Sequence, residues 1–144
     1  MGLIPVVPAD AIRPTEDEGA PAGCIAWLDL TVADASATRD FYRQVVGWSV
    51  KDVPLKDANE SYSDYEMLGG DGRLAASVCH ARGVNLGLPP VWLIHLPVRD
   101  LAESVRRVRD EGGKVIKTTT GGDGELACAV IQDPVGAHLA LLPG

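Results

Sequence analysis

Asp29 and His95 are the residues whose types and spacing point most directly to chemistry. They stand 66 residues apart, and the same spacing superimposes two stretches, Trp27-Leu28-Asp29-Leu30-Thr31-Val32-Ala33-Asp34 and Leu93-Ile94-His95-Leu96-Pro97-Val98-Arg99-Asp100. A carboxylate beside an imidazole strengthens its hold on a proton and fixes its tautomer. An Asp–His pair within hydrogen-bond reach is therefore a candidate general base. The plainer alternative is a half-buried histidine satisfied by backbone or by Asp29. Side chains two apart on a strand share a face, so Trp27 joins Asp29 and offers an indole for stacking on a planar ligand. Trp92 is out of phase with Leu93 and is expected in the core.

His80 and His138 extend the set. By strand parity they fall on the same, inward side as Ala76 and Ala140, and Cys79 falls on the outward side. With Asp29, these histidines are alternative metal ligands or pocket-wall residues. At ~3.3 Å rise per residue their heights differ by several ångströms. Tyr62, Tyr65 and Glu66 lie on another strand, and whichever parity is inward supplies an aromatic or a carboxylate to the wall; a surface role is the equal alternative for each. The cysteines Cys24, Cys79 and Cys128 form no CxxC pair and read as reduced, semi-buried thiols of a cytoplasmic protein. There is no P-loop, GxSxG or HExxH. The glycine runs at Gly69 and Gly121 lie between strands, where they make poor phosphate cradles. Arg106, Arg107 and Arg109 read as a solvated helix face.

The elements that must position these residues repeat. Each stretch reads as a buried strand ending in an Asp that caps a helix, Asp34 and then Asp100. In the first copy Ala37, Phe41, Val45 and Val46 mark one helical face, and Gly47 ends the helix. Strands are expected at 48–53, 61–68 and 73–80, with 54–59 as a polar loop and Gly69 to Gly72 as a tight turn. The second copy places a strand at 91–98, a helix at 101–111, and strands at 114–118, 126–132 and 137–142. A spacing of 64 puts Gly72 on Gly136, so the final hairpins match too. The fold class is α+β, two tandem βαβββ modules, with a shared cleft between them. Residues 1–23 form a proline-rich arm and 24–144 one domain: module one at 24–80, a linker at 81–90 and module two at 91–143.

Composition narrows the partners. A chain of 144 residues can bury a core of its own. A net charge of −7 disfavours nucleic acid, whose phosphates require Lys and Arg. No apolar run approaches the ~20 residues needed to cross a bilayer, and no signal peptide is evident.

These modules resemble the vicinal oxygen chelate superfamily, which includes glyoxalase I, extradiol dioxygenases and bleomycin-resistance-type binding proteins. The likeness rests on Val32-Ala33-Asp34, Phe41-Tyr42 and Val46-Gly47-Trp48 in the first half. In the second it rests on Val98-Arg99-Asp100, Gly112-Gly113-Lys114-Val115 and Asp133-Pro134-Val135-Gly136. The resemblance implies two modules whose sheets curl around a shared cleft, completed as a homodimer. It also implies a divalent ion held from the first and last strands of each module. By that likeness the ligand slots are Trp27, Ala76, Leu93 and Ala140, none of which binds a cation. No cofactor is expected, and a metal is possible only through a non-standard set of histidines with Asp29.

Three functions remain open. One is a small-molecule-binding protein with an apolar cleft and Asp29 and His95 as polar anchors. Another is an enzyme acting on a small carbonyl or aromatic compound, by a displaced metal or by Asp29–His95 acid–base chemistry. The third is a protein that acts by assembly through its arm, with Leu3, Ile4, Val6 and Val7 as contacts.

Overall fold

In the computed structural model, residues 19–144 are described; the expectations for Leu3, Ile4, Val6 and Val7 lie outside them. The elements are β1 (Trp27–Val32), α1 (Ala35–Val46), β2 (Ser49–Asp57), β3 (Glu60–Leu68), β4 (Leu74–His80), a 3-10 turn (Gly83–Asn85), β5 (Trp92–Val98), α2 (Leu101–Asp110), β6 (Lys114–Thr120), β7 (Leu126–Gln132) and β8 (His138–Pro143). The fold is α+β, two βαβββ modules that share one eight-stranded sheet in the order β2-β3-β4-β1-β5-β8-β7-β6.

The capping residues act as their types dictate. Asp34 accepts from the backbone N–H of Ala37 at 3.0 Å and Asp100 from that of Glu103 at 2.9 Å. Each satisfies an N–H that the first helical turn leaves without a partner. Gly47 closes α1 at φ 81°, a left-handed conformation that a side chain would strain. The segment 54–59, expected as a loop, is mostly strand: β2 runs on through Pro54 to Asp57. Among the described residues β2 ends the strand order, and on an edge strand a proline's missing N–H is tolerated.

Both helices cover the same face. Against α1 lie Val32, Tyr65, Met67 and Val78, together with an aromatic group of Tyr42, Trp48 and Trp92. Trp92 belongs to the strand of module two but donates from Nε1 to the Tyr42 hydroxyl at 2.8 Å, which ties β5 to the core of module one. Val105 of α2 packs into an aliphatic cluster that includes Ala129, Leu141, Leu96 and Val98. Even-numbered residues of β5 therefore reach the cores beneath both helices. Its odd-numbered residues, Leu93 and His95, leave the opposite, open face.

Candidate functional site

The central strands β1 and β5 build the site. They pair antiparallel, with Trp27 opposite His95 and Asp29 opposite Leu93, so all four side chains rise from the open face. Asp29 and His95 are diagonal neighbours. His95 Nε2 lies 3.2 Å from an Asp29 carboxylate oxygen, and the side chains are 12% and 22% exposed. The contact is close but not aligned as a hydrogen bond. Nε2 is buried without a hydrogen-bond partner among the described residues. Such an atom carries a desolvation cost that a ligand or a water can relieve.

From this pair the repeat runs outward in two rows. One row is Asp29–Ser77–Glu66–Lys51, each residue opposite the next across β1, β4, β3 and β2. Its counterpart is His95–Ala140–Val130–Lys117, across β5, β8, β7 and β6. Eleven residues lead from Glu66 to Ser77 but only ten from Val130 to Ala140. The register of β3 on β4 shifts between Met67 and Leu68, which accommodates the extra residue.

That residue corrects the expected placement of Ala76 and His80. A slip of one turns a strand's side chains over. Ala76 stands opposite Met67 in the core under α1 and is fully buried. His80 follows Val78 on that face; its ring centroid is 5.7 Å from Tyr62 and 6.1 Å from Tyr65. Cys79, expected outward, stands opposite Thr31 on the open face. Burial, reinforced by the negative charges of Asp64 and Asp29, pushes its thiol up to about 12.

Of the remaining candidates, Glu66 is on the open face and pairs with Lys51 at 3.7 Å. Tyr62 lies apart from Asp29 and His95, with the Arg82 guanidinium 4.3 Å above its ring. His80 forms a second Asp–His pair there, Nδ1 lying 3.4 Å from Asp64. Asp64 also accepts from the His80 backbone N–H at 2.8 Å. His138 stands opposite Gln132, two residues before Ala140, on the open face of β8. Trp27 and His138 share the face of the Asp29–His95 pair but do not line the pocket beside it.

That pocket has a volume of about 160 Å³. Its floor is Leu93 and Val130, which cluster with Ala140 and Leu88. Asp29 and His95 supply one polar wall; Lys117, Thr119 and Cys128 supply another. The Cys128 thiol is raised by burial and then by the Asp29 charge, so it holds its proton at neutral pH. Val84, Asn85 and Leu88, from the linker, close the top. Sequence reasoning missed these lining residues. Two-residue alternation in β6 and β7 links Lys117 with Thr119 and Cys128 with Val130. Nothing in the linker's composition announces that it folds back over the sheet.

By register the four family metal slots become Trp27, Ser77, Leu93 and Ala140: an indole, a hydroxyl and two aliphatic side chains. This donor set does not suit a divalent ion, which takes imidazole, thiolate or several oxygens. Among the described residues, no group of three or more His, Cys, Asp or Glu is placed to hold a metal. No described helix is long and apolar enough to cross a membrane.

Fold and repeat define a family, and residues 24–141 match the model of the Glyoxalase/Bleomycin resistance protein/Dioxygenase superfamily. The chain belongs to that superfamily. It is 29% identical over 131 residues to the anthracycline biosynthesis protein DnrV of Streptomyces peucetius, covering 83% of this chain and 46% of that one. It is 32% identical over 117 residues to "Putative glyoxylase CFP32" of Mycobacterium bovis, covering 80% of this chain and 43% of that one. The chain thus spans less than half the length of these relatives. Among solved structures, a superfamily member from Vibrio splendidus 12B01 aligns with TM-score 0.48 at 13% identity, over 82% of this chain and 97% of that one. Methylmalonyl-CoA epimerase from Mycobacterium tuberculosis aligns with TM-score 0.46 at 16% identity, over 89% and 94%.

Proposed function

We propose that the chain is a small-molecule-binding protein that works without the divalent ion of its family and takes a small, largely apolar compound against Asp29 and His95. The observation that carries this reading is the pocket of about 160 Å³, floored by Leu93 and Val130 and edged by one Asp–His pair. Cavities of about 150 Å³ with aliphatic walls take up a benzene-sized molecule. Asp29 and the His95 ring, which edge the pocket, give a ligand hydroxyl or carbonyl one place to anchor. A carbonyl needs the protonated ring nitrogen; a hydroxyl can donate to the unprotonated one.

The Asp29–His95 contact favours a second reading, acid–base catalysis on such a compound. Asp29 lies at Nε2, which leaves Nδ1 as the nitrogen to exchange a proton with substrate. Replacement separates the two. We would titrate monocyclic phenols and aromatic ketones by thermal shift, on protein first incubated with zinc, manganese, nickel or iron and analysed for retained metal. The binding reading expects a raised melting temperature, no stoichiometric metal, and only a weakened shift in Asp29→Ala or His95→Ala. Turnover of any of these compounds that disappears in both variants replaces it with the catalytic reading. Stoichiometric retained metal overturns the metal-free part.

A further inference from the structure

The linker between the modules is fastened to the sheet in an unusual way. Lys117, on β6, donates from Nζ to two linker carbonyls, Val84 O at 2.5 Å and Leu86 O at 2.6 Å. Two further bonds are internal to the segment, Leu86 N–H to Gly83 O at 3.2 Å and Leu88 N–H to Asn85 O at 3.3 Å, and one reaches back to the residue before it, Asn85 N–H to Arg82 O at 3.0 Å. The internal bonds move with the segment, so apart from the Asn85–Arg82 bond at its base it is Lys117 that holds it to the sheet. Val84 and Leu86 are 74% and 60% exposed, so their side chains add little anchorage. Leu88 alone packs on the pocket's apolar cluster.

A glycine stands near each end of this segment. Before it, Ala81 N–H is held by Val32 O at 2.9 Å, and the Arg82 side chain is fixed by Glu60 at 2.8 Å and Asp57 at 3.4 Å. Gly83 and Gly87 then take φ values of 56° and 83°, a region open to glycine with little cost, and glycines of this kind are common where a loop changes direction. Beneath the segment lies the pocket of about 160 Å³, well short of the ~300 Å³ at which ordinary ligand pockets begin.

We propose that residues 83–88 form a gate over the module-two pocket and that Lys117 is the latch, which makes Lys117 a residue that sets which ligands enter. With the latch closed the pocket admits a single ring. A larger compound enters only when the ammonium leaves the Val84 and Leu86 carbonyls. The ligand that best holds the gate open is one whose own carbonyl or carboxylate oxygen takes over those bonds, because it replaces the charge-assisted bonds the ammonium gives up. The ligand class rests on the binding reading above; the gate does not.

Cys128 lines the pocket beneath the segment, so its alkylation reports opening without any ligand. The test uses the full chain with Cys24→Ser and Cys79→Ser, labelled with N-ethylmaleimide. Lys117→Met should speed Cys128 labelling roughly tenfold or more, the loss of two charge-assisted hydrogen bonds. Lys117→Arg, which can still donate to both carbonyls, should restore slow labelling. A rate unchanged in Lys117→Met, with its cooperative melting intact, overturns the gate. Should that variant fail to fold, hydrogen exchange on the unaltered chain decides. Amides of Leu86 and Leu88 exchanging at least tenfold faster than those of β5 and β8 support the gate, and equal protection overturns it. If the gate opens yet no phenol, aromatic ketone or aromatic carboxylate binds, the binding reading fails and the gate stands.

Discussion

The two modules share a scaffold but line it differently. On the open face, module one presents Lys51, Glu66 and Ser77 beside Asp29, where module two presents Lys117, Val130 and Ala140 beside His95. The cross-strand neighbour of Lys51 is a carboxylate, and the two pair at 3.7 Å. The cross-strand neighbour of Lys117 is Val130, and its ammonium turns instead to the linker carbonyls. Replacing one acid by one apolar residue thus does two things. It dries half of the face into a pocket floor, and it releases a lysine to cover that pocket.

The strongest way to break this contrast is Val130→Glu, which copies module one into module two. Val130 is 4% exposed, so the new carboxylate is desolvated even with Lys117 across the strand. Stability should fall by about 3 kcal/mol, because the cost of burying the charge exceeds what one lysine returns. Urea unfolding should show a lower midpoint with an unchanged slope. Labelling of Cys128 should also speed up, as Lys117 is drawn from the linker. A midpoint within error of the parent would mean that the two halves are equally wet.

Thiols sharpen the comparison through pH. Cys79 of module one is pushed up to about 12, foremost by burial and then by the charges of Asp64 and Asp29. The folded chain therefore holds this proton at pH values where the unfolded chain, with an ordinary thiol value of 9.0, has lost it. The associated stabilisation is complete below that ordinary value and declines as pH rises toward the folded one. Melting between pH 8.5 and 10.5 should fall less steeply in Cys79→Ser than in the parent, a window set by those two values. Parallel curves would remove Cys79 as a source of alkaline loss.

Much of this was legible in the sequence because it depends on local rules. Asp34 and Asp100 cap helices wherever a strand feeds one, and Gly47 ends α1 for a reason internal to the glycine. The pairing of Asp29 with His95 followed from strand parity and a constant spacing of 66 within the first strands of the modules. Parity failed at Ala76, His80 and Cys79, where one extra residue in a hairpin reverses the faces while leaving the composition ordinary. The linker was illegible for a different reason. Residues 83–88 carry no periodicity, and their place over the pocket is fixed by Lys117, 29 residues beyond Leu88 in the chain. Long-range fastening of this kind leaves no mark on the segment that is fastened.

The smallest expected effect is also the one that isolates environment from chemistry. Glu66→Val gives module one the apolar neighbour that module two already has. Lys51 is 70% exposed and Glu66 30%, so their ion pair is largely screened by water. Removing it should change stability by no more than about 0.5 kcal/mol. Described module one has no linker segment bonded to Lys51, so a freed Lys51 returns to solvent, where its hydration replaces the lost carboxylate. A loss above about 1.5 kcal/mol, beyond what an exposed pair contributes, would show that this lysine too fastens the fold. A small loss would place the difference between the lysines in what lies above each one: water over Lys51, a folded-back linker over Lys117.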